Sequence, residues 1–181
     1  MSQYAEKNHR TRDLDLRAIV AVSRNRVIGA GGHLPWDLPE DRAYLAETIR
    51  GGVVIEGRRC YESRGHAFQG TRRTVVLTRR KDWCPKDAEV APSLSAAYQI
   101  LAGETVPVWI MGGEQIYRES LPHWRRLYLT LIEAEYDGDT FFPDWTERFV
   151  QQLCCKRSEK DGLRYSFLVL APLEHDKERA P

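Results

Sequence analysis

Apolar residues gather in short, separated runs. Leu16 to Val22 (LRAIVAV) is almost continuously apolar yet too short for an ordinary helix, the pattern of a strand covered on both faces in a parallel sheet. Val53-Val54-Ile55 begins a second strand, Thr74 to Thr78 (TVVLT) is a third, closed by Arg79-Arg80-Lys81, and Val106 to Met111 is a fourth. Helical signals fall between them. Pro39 suits a first helical turn, where its missing N–H costs nothing, and predicts a helix from Pro39 to about Ile49 that Gly51-Gly52 ends. Gly57-Arg58-Arg59-Cys60 reads as a helix start, Ser93 as the N-cap of a helix reaching Leu101, and Gly112-Gly113 as a turn into a short helix through Tyr117. Strands alternating with helices predict an α/β fold, doubly wound around a mostly parallel central sheet. Arg125 to Glu133 and Leu163 to Leu170 are β-rich with no evident helical crossover between them, so both are expected as antiparallel strands at the C-terminal edge.

This pattern predicts three parts: a solvated arm over residues 1–15, a single domain over 16–173, and a charged tail over 174–181. A chain of 181 residues buries about two thirds of its unfolded surface around one core. The charge balance, 27 basic against 26 acidic residues, gives a net charge of +1 and no general attraction to nucleic acid or anionic membranes. The cysteines at 60, 84, 154 and 155 lack CxxC spacing or zinc-type pairing with histidine, so neither a metal site nor a disulfide framework is indicated. Cys154 and Cys155 are adjacent and would point to opposite faces of a strand. The polar first fifteen residues do not read as a secretory signal, and no apolar run reaches the ~18 residues of a membrane span. A cytoplasmic monomer is expected.

The stretch richest in chemistry is Arg26 to Asp41, RVIGAGGHLPWDLPED. Its glycines at 29, 31 and 32 allow a mobile loop. Pro35 and Pro39 then stiffen the backbone and hold Leu34, Trp36 and Leu38 on a ledge. Asp41 lies in the first turn of the helix that follows. Acids there commonly do no more than complement the helix dipole. Here the acid sits five residues after an indole, beside a strand end and under a glycine-rich lid.

The order strand, VIG, loop, LPW, LP and an acid two residues later resembles dihydrofolate reductase. VVIEGRRCYES, VWIMGGEQIY and LYLTLIEAEYDGDTFFP resemble further motifs of that family, in its order and spacing, over roughly residues 16–171. The resemblance implies NADPH-dependent reduction of 7,8-dihydrofolate, or a related pterin, to the tetrahydro form. Hydride passes from nicotinamide C4 to pterin C6 while N5 gains a proton. Asp41 matches the family's single ionisable group at the pterin, gripping N3–H and the 2-amino group, and Thr130 matches the hydroxyl that supports it. Trp36 matches a donor acting through water, and Leu34 a lid residue over the loop Ala30 to His33 that opens and closes during turnover. Ile19, Val20, Leu45, Arg42 and Arg64 are implied around the substrate.

For the cofactor there is no GxGxxG after the first strand, which argues against an ordinary dinucleotide site. The resemblance instead implies that Gly112 and Gly113 form a cis-peptide turn close to the pyrophosphate and nicotinamide. It places Arg58, Arg59 and Arg79 on the phosphates, with a Thr78 hydroxyl beside them. Their number favours NADPH over NADH. Gly57, Cys60 and Leu77 complete that side; Ala21, Ile28 and Gly29, with Met111, Gln115, Ile116 and Tyr117, line the rest.

Three departures bear on the substrate. Thr71 stands where the family pattern has an arginine that clamps the α-carboxylate of the folate glutamate, and threonine cannot replace a bidentate cation. Arg42 and Arg64 stand where aliphatic residues are usual, and one of them is expected to take over the glutamate. Glu56, within a strand, needs a cationic partner that the sequence does not identify. These changes surround the outer pocket and imply altered affinity for diaminopyrimidine antifolates. Two other readings remain open here: a riboflavin-pathway reductase of the same architecture, and a non-catalytic NADPH- or pterin-binding protein.

Overall fold

The computed structural model describes residues 14–173; of the arm expected over residues 1–15, residues 1–13 lie outside the described residues, as does the charged tail from Glu174. The domain begins earlier than expected. Leu14 is buried in the core, and the Asp15 carbonyl accepts from the Val108 N–H at 2.9 Å.

The strands are β1 (Leu16–Ser23), β2 (Val27–Gly29), β3 (Val53–Gly57), β4 (Arg73–Leu77), β5 (Glu89–Ala91), β6 (Val108–Ile110), β7 (Arg126–Ile132), β8 (Thr140–Phe141), β9 (Gln151–Lys160) and β10 (Leu163–Ala171). The helices are α1 (Pro39–Thr48), α2 (Arg58–Arg64), α3 (Leu94–Ile100) and α4 (Glu114–Ser120), with a 3-10 turn at Leu121–His123. Eight strands form one sheet in the order β5-β4-β3-β6-β1-β7-β10-β9, and β2 pairs with β8 apart from it. Ser93 caps α3 as expected, its hydroxyl accepting from the Ala96 N–H at 3.2 Å.

β7 departs from expectation: it runs parallel to β1, with Ala21 opposite Thr130. The chain leaves β6 through α4 and the 3-10 turn, and such a crossover returns a strand parallel to its neighbours. Antiparallel pairing begins at β10, which pairs with β7, and the outermost strand is β9 rather than β10. β9 carries no alternating apolar pattern because it is an exposed edge, and its charges discourage pairing with other chains. Its signal was the turn: Asp161 and Gly162, at φ of 50° and 80°, form the two-residue connection that suits a hairpin.

Side-chain parity divides the sheet. Leu16, Ala18 and Val22 of β1 join Val53 and Ile55, Val108 and Ile110, Leu127 and Leu129 in the main core under α3 and α4. Ile19 and Ala21 point to the opposite face, with Val54, Trp109, Tyr128, Ile132 and Phe167, where Tyr44 and Leu45 of α1 cover them. The helices therefore lie on both faces of the sheet, and α1 is set over the face on which β1 and β7 end.

Candidate active site

Parallel strands of an open α/β sheet present their carboxyl ends to ligands. Gly57 at the end of β3 stands opposite Leu77 at the end of β4, and the Gly57 N–H donates to the Gly112 carbonyl at 2.9 Å. Three strand ends are thus level, and the turns that leave them share one rim.

On the α1 side of the rim, Asp41 is half-buried and accepts a hydrogen bond from the hydroxyl of Thr130, itself buried in β7. Burial pushes the Asp41 carboxyl above its ordinary value of 3.8, opposed by the Thr130 bond and by Arg42. Trp36 is buried against Tyr136 at 5.3 Å, and its indole N–H has no hydrogen-bond partner among the described residues. Leu34 is 50% exposed on the loop above. Ile19, Ala21 and Leu45 face this space, whereas Val20 packs on the core side of β1. Val20 was expected around the substrate; strand parity leaves only its backbone on that side.

The second half of the rim is built of glycine. The Gly112–Gly113 peptide is cis, and Gly112 has φ of 106°. A Cβ at Gly112 would lie 3.4 Å from the Cys60 sulfur and 3.5 Å from the Tyr117 ring; one at Gly57 would lie 3.1 Å from Ile116. The backbone between α2 and α4 is closely packed here. Tyr117 is fixed beneath, donating its hydroxyl to the Ile19 carbonyl at 2.8 Å and setting its ring against Phe142 at 4.8 Å. Arg58 bonds Glu62 at 2.6 Å one turn along α2, Arg59 and Arg79 are exposed, and the Thr78 hydroxyl accepts from the Arg80 N–H at 3.2 Å. Met111 packs toward Trp109, Ile28 and Leu77 toward the main core, and the exposed Gln115 bonds Glu119 at 2.7 Å.

The outer wall answers one question and corrects one expectation. Glu56, 1% exposed, is held by both terminal nitrogens of Arg64, one of them at 3.2 Å. Arg64 also donates to the His66 carbonyl at 2.8 Å and stacks on Phe68 at 3.6 Å. It is committed to the buried acid, which makes it a poor receptor for a substrate carboxylate. Arg42 bonds Asp37 at 2.5 Å in the open. Thr71 folds back to donate to the Phe68 carbonyl at 2.7 Å.

Two features escaped the sequence. Asp139, in the DGD segment, accepts from the Gly31 N–H at 3.0 Å and from the Thr140 hydroxyl at 2.8 Å, clasping the glycine-rich loop. These donors hold its carboxyl below the ordinary value of 3.8. Gly138 beside it is obligatory, since a Cβ would sit 2.4 Å from Val27 and 2.6 Å from the Gly29 carbonyl. A DG pair after a β-rich run was the available signal.

The sequence model of the family described as dihydrofolate reductase matches residues 15–171. A dihydrofolate reductase of Staphylococcus haemolyticus is 39% identical over 86% of this chain and 95% of its own length. A dihydrofolate reductase type 3 of Salmonella typhimurium is 42% identical over 75% and 82%. Among solved structures, a dihydrofolate reductase from Enterococcus faecalis, complexed with NADP(H) and RAB-propyl, superposes with a TM-score of 0.81 at 26% identity, covering 90% of this chain and 98% of that one.

Proposed function

The chain belongs to the dihydrofolate reductase family, and from that premise we propose that Asp41 and Thr130 form its pterin-binding centre, with the glycine rim as its cofactor cradle. The reaction is the NADPH-dependent reduction of 7,8-dihydrofolate to tetrahydrofolate. NADPH supplies the hydride that reaches pterin C6. The chain's own part is to bind, orient and dry the two rings.

The observation that carries this reading is a desolvated carboxylate, Asp41, bonded to a buried threonine at the carboxyl end of a parallel sheet. It pairs with N3–H and the 2-amino group of the pterin, the two donors a single carboxylate can accept side by side. That pairing offsets the burial cost of the anion and polarises the ring toward protonation at N5. The buried indole N–H of Trp36 orients the water that delivers the proton. Asp41 itself organises that water and does not hand over the proton.

For the cofactor, Gly57, Gly112 and Gly113 allow close backbone approach, a Cβ at Gly57 crowding Ile116 and the positive φ of Gly112 disfavouring any other residue. Arg58, Arg59, Arg79 and Thr78 receive the phosphates, and Cys60 and Ile116 flank them. The nicotinamide end lies toward Ala21, Ile28, Gly29 and Tyr117, under the loop that carries Leu34. The anion at Asp41 favours a pteridine over the ribose-linked substrate of a riboflavin-pathway reductase. The polar Glu56–Arg64 pair in the outer wall supports altered affinity for diaminopyrimidine antifolates.

The test follows nicotinamide absorbance with NADPH and dihydrofolate. Wild-type protein should turn over, and Asp41→Ala should not; equal rates would refute the assignment.

A further inference from the structure

Resting on the dihydrofolate reading above, we propose that Arg50, at the end of α1, receives the glutamate carboxylates of the substrate, a duty Thr71 cannot perform. Thr71 directs its hydroxyl to the Phe68 carbonyl and carries no charge. The other cations around this mouth are engaged. Arg64 is bound to buried Glu56, Arg42 to Asp37, and Arg72, next to Thr71, lies 3.8 Å from Glu104. Arg50 differs in place. Its Nη1 lies 3.4 Å and its Cγ 3.7 Å from where a Cβ on Gly70 would stand, so the side chain lies across the turn that leads into Thr71. The Gly51 N–H, donating to the Gly70 carbonyl at 2.7 Å, fixes that turn against the end of α1. Its acidic neighbour Glu47 engages Nε at 3.3 Å, and among the described residues no hydrogen bond takes Nη1 or Nη2.

The length agrees. Asp41 and Arg50 are nine residues apart along α1 and its last turn, a rise of about 14 Å at helical spacing. Dihydrofolate spans on the order of 15 Å from its pterin donors to its glutamate carboxylates, by ordinary bond lengths. Between the two positions Leu45, Ile49 and Phe68 form an apolar cluster, a surface chemistry suited to the benzoyl ring. The two terminal guanidinium nitrogens of Arg50, beside Gly70, match a carboxylate bidentately.

The test compares two substrates, dihydrofolate and 6-methyl-7,8-dihydropterin, which lacks the benzoylglutamate. Arg50→Ala should raise KM for dihydrofolate about tenfold and KM for the truncated pterin less than twofold, the loss falling on KM rather than kcat. Arg50→Lys should recover part of it, and Thr71→Arg added to Arg50→Ala should recover most. An unchanged KM for dihydrofolate would overturn the proposal, as would an equal rise with both substrates, which marks a structural role. Wild-type protein active on the truncated pterin but indifferent to Arg50 refutes this proposal alone. Wild-type protein inert toward both refutes the dihydrofolate reading and this proposal with it.

Discussion

Replacing Arg64 with alanine leaves Glu56 as an unpaired acid inside a strand, and the cost can be bounded from its surroundings. The side chain is 1% exposed, and burial already pushes its carboxyl above the ordinary value of 4.5 even with Arg64 opposing. Without Arg64 the cheapest remedy is to take up a proton. Holding that proton at pH 7 costs at most about 3.4 kcal/mol, roughly 1.36 kcal/mol for each pH unit above 4.5. Loss of the guanidinium from the Phe68 face adds about 0.5–1 kcal/mol. The total, about 4 kcal/mol, falls within the range for breaking a buried pair on one side and lowers Tm by about 10 °C in a chain of this size.

The pH dependence has a fixed sign. A buried acid with a raised value holds a proton that the unfolded chain releases, so stability is greatest at low pH and falls as pH rises above the ordinary value near 4.5. The Arg64→Ala deficit should therefore shrink to about 1–2 kcal/mol at pH 5. Urea unfolding of both proteins at pH 5 and pH 7 measures it. The double variant Glu56→Met/Arg64→Leu should recover wild-type stability within about 1 kcal/mol, because apolar residues of similar volume replace buried pairs at little cost. A deficit under about 1 kcal/mol at pH 7, or one equal at both pH values, would refute the reasoning.

Asp41→Asn should lower kcat by about 100-fold or more while stabilising the ligand-free protein at neutral pH, since a carboxyl raised by burial loses stability as pH climbs above 3.8; kinetics with unfolding at pH 5 and 8 tests both effects together. Asp139→Ala removes the acceptor for the Gly31 N–H and should speed NADPH release about tenfold, read by stopped-flow; an unchanged release rate argues against the clasp. Because Asp139 is held below 3.8, the clasp in the parent protein should persist down to that pH and fail beneath it. Ser93→Ala should cost about 1 kcal/mol in urea unfolding, through loss of the α3 cap, and leave kcat and KM unaltered.

What could be read from the sequence is what local chemistry dictates. Pro39 and Gly51-Gly52 bound α1 because they act on their own backbone, and the apolar runs of β1, β3 and β4 sit where a two-sided burial demands them. The position of Asp41 followed from that helix start. β9 was invisible because an exposed edge has no buried face to write an alternation. The direction of β7 depends on which side of β1 remains open after β6 is placed, a property of the whole sheet. Arg64 was read as a substrate residue because it stands where the family pattern has an aliphatic one, and only folding brings the strand-end acid Glu56 under the helix that follows it.

The same parity that hides Val20 explains why the site and the core can be built from one strand. Ile19 and Ala21 stand on the face covered by α1, while Ala18 and Val22 pack in the main core beneath α3 and α4. A residue on the first face can be exchanged to suit a ligand without opening a cavity in the second. The charged departures of this chain obey that division: Glu56 shares the face of Val54, Arg64 reaches it from α2, and Arg42 stands in the first turn of α1. None intrudes on the main core. The Asp41–Thr130 pair stands on this same face, so the charge it needs is held apart from the packing that holds the sheet together.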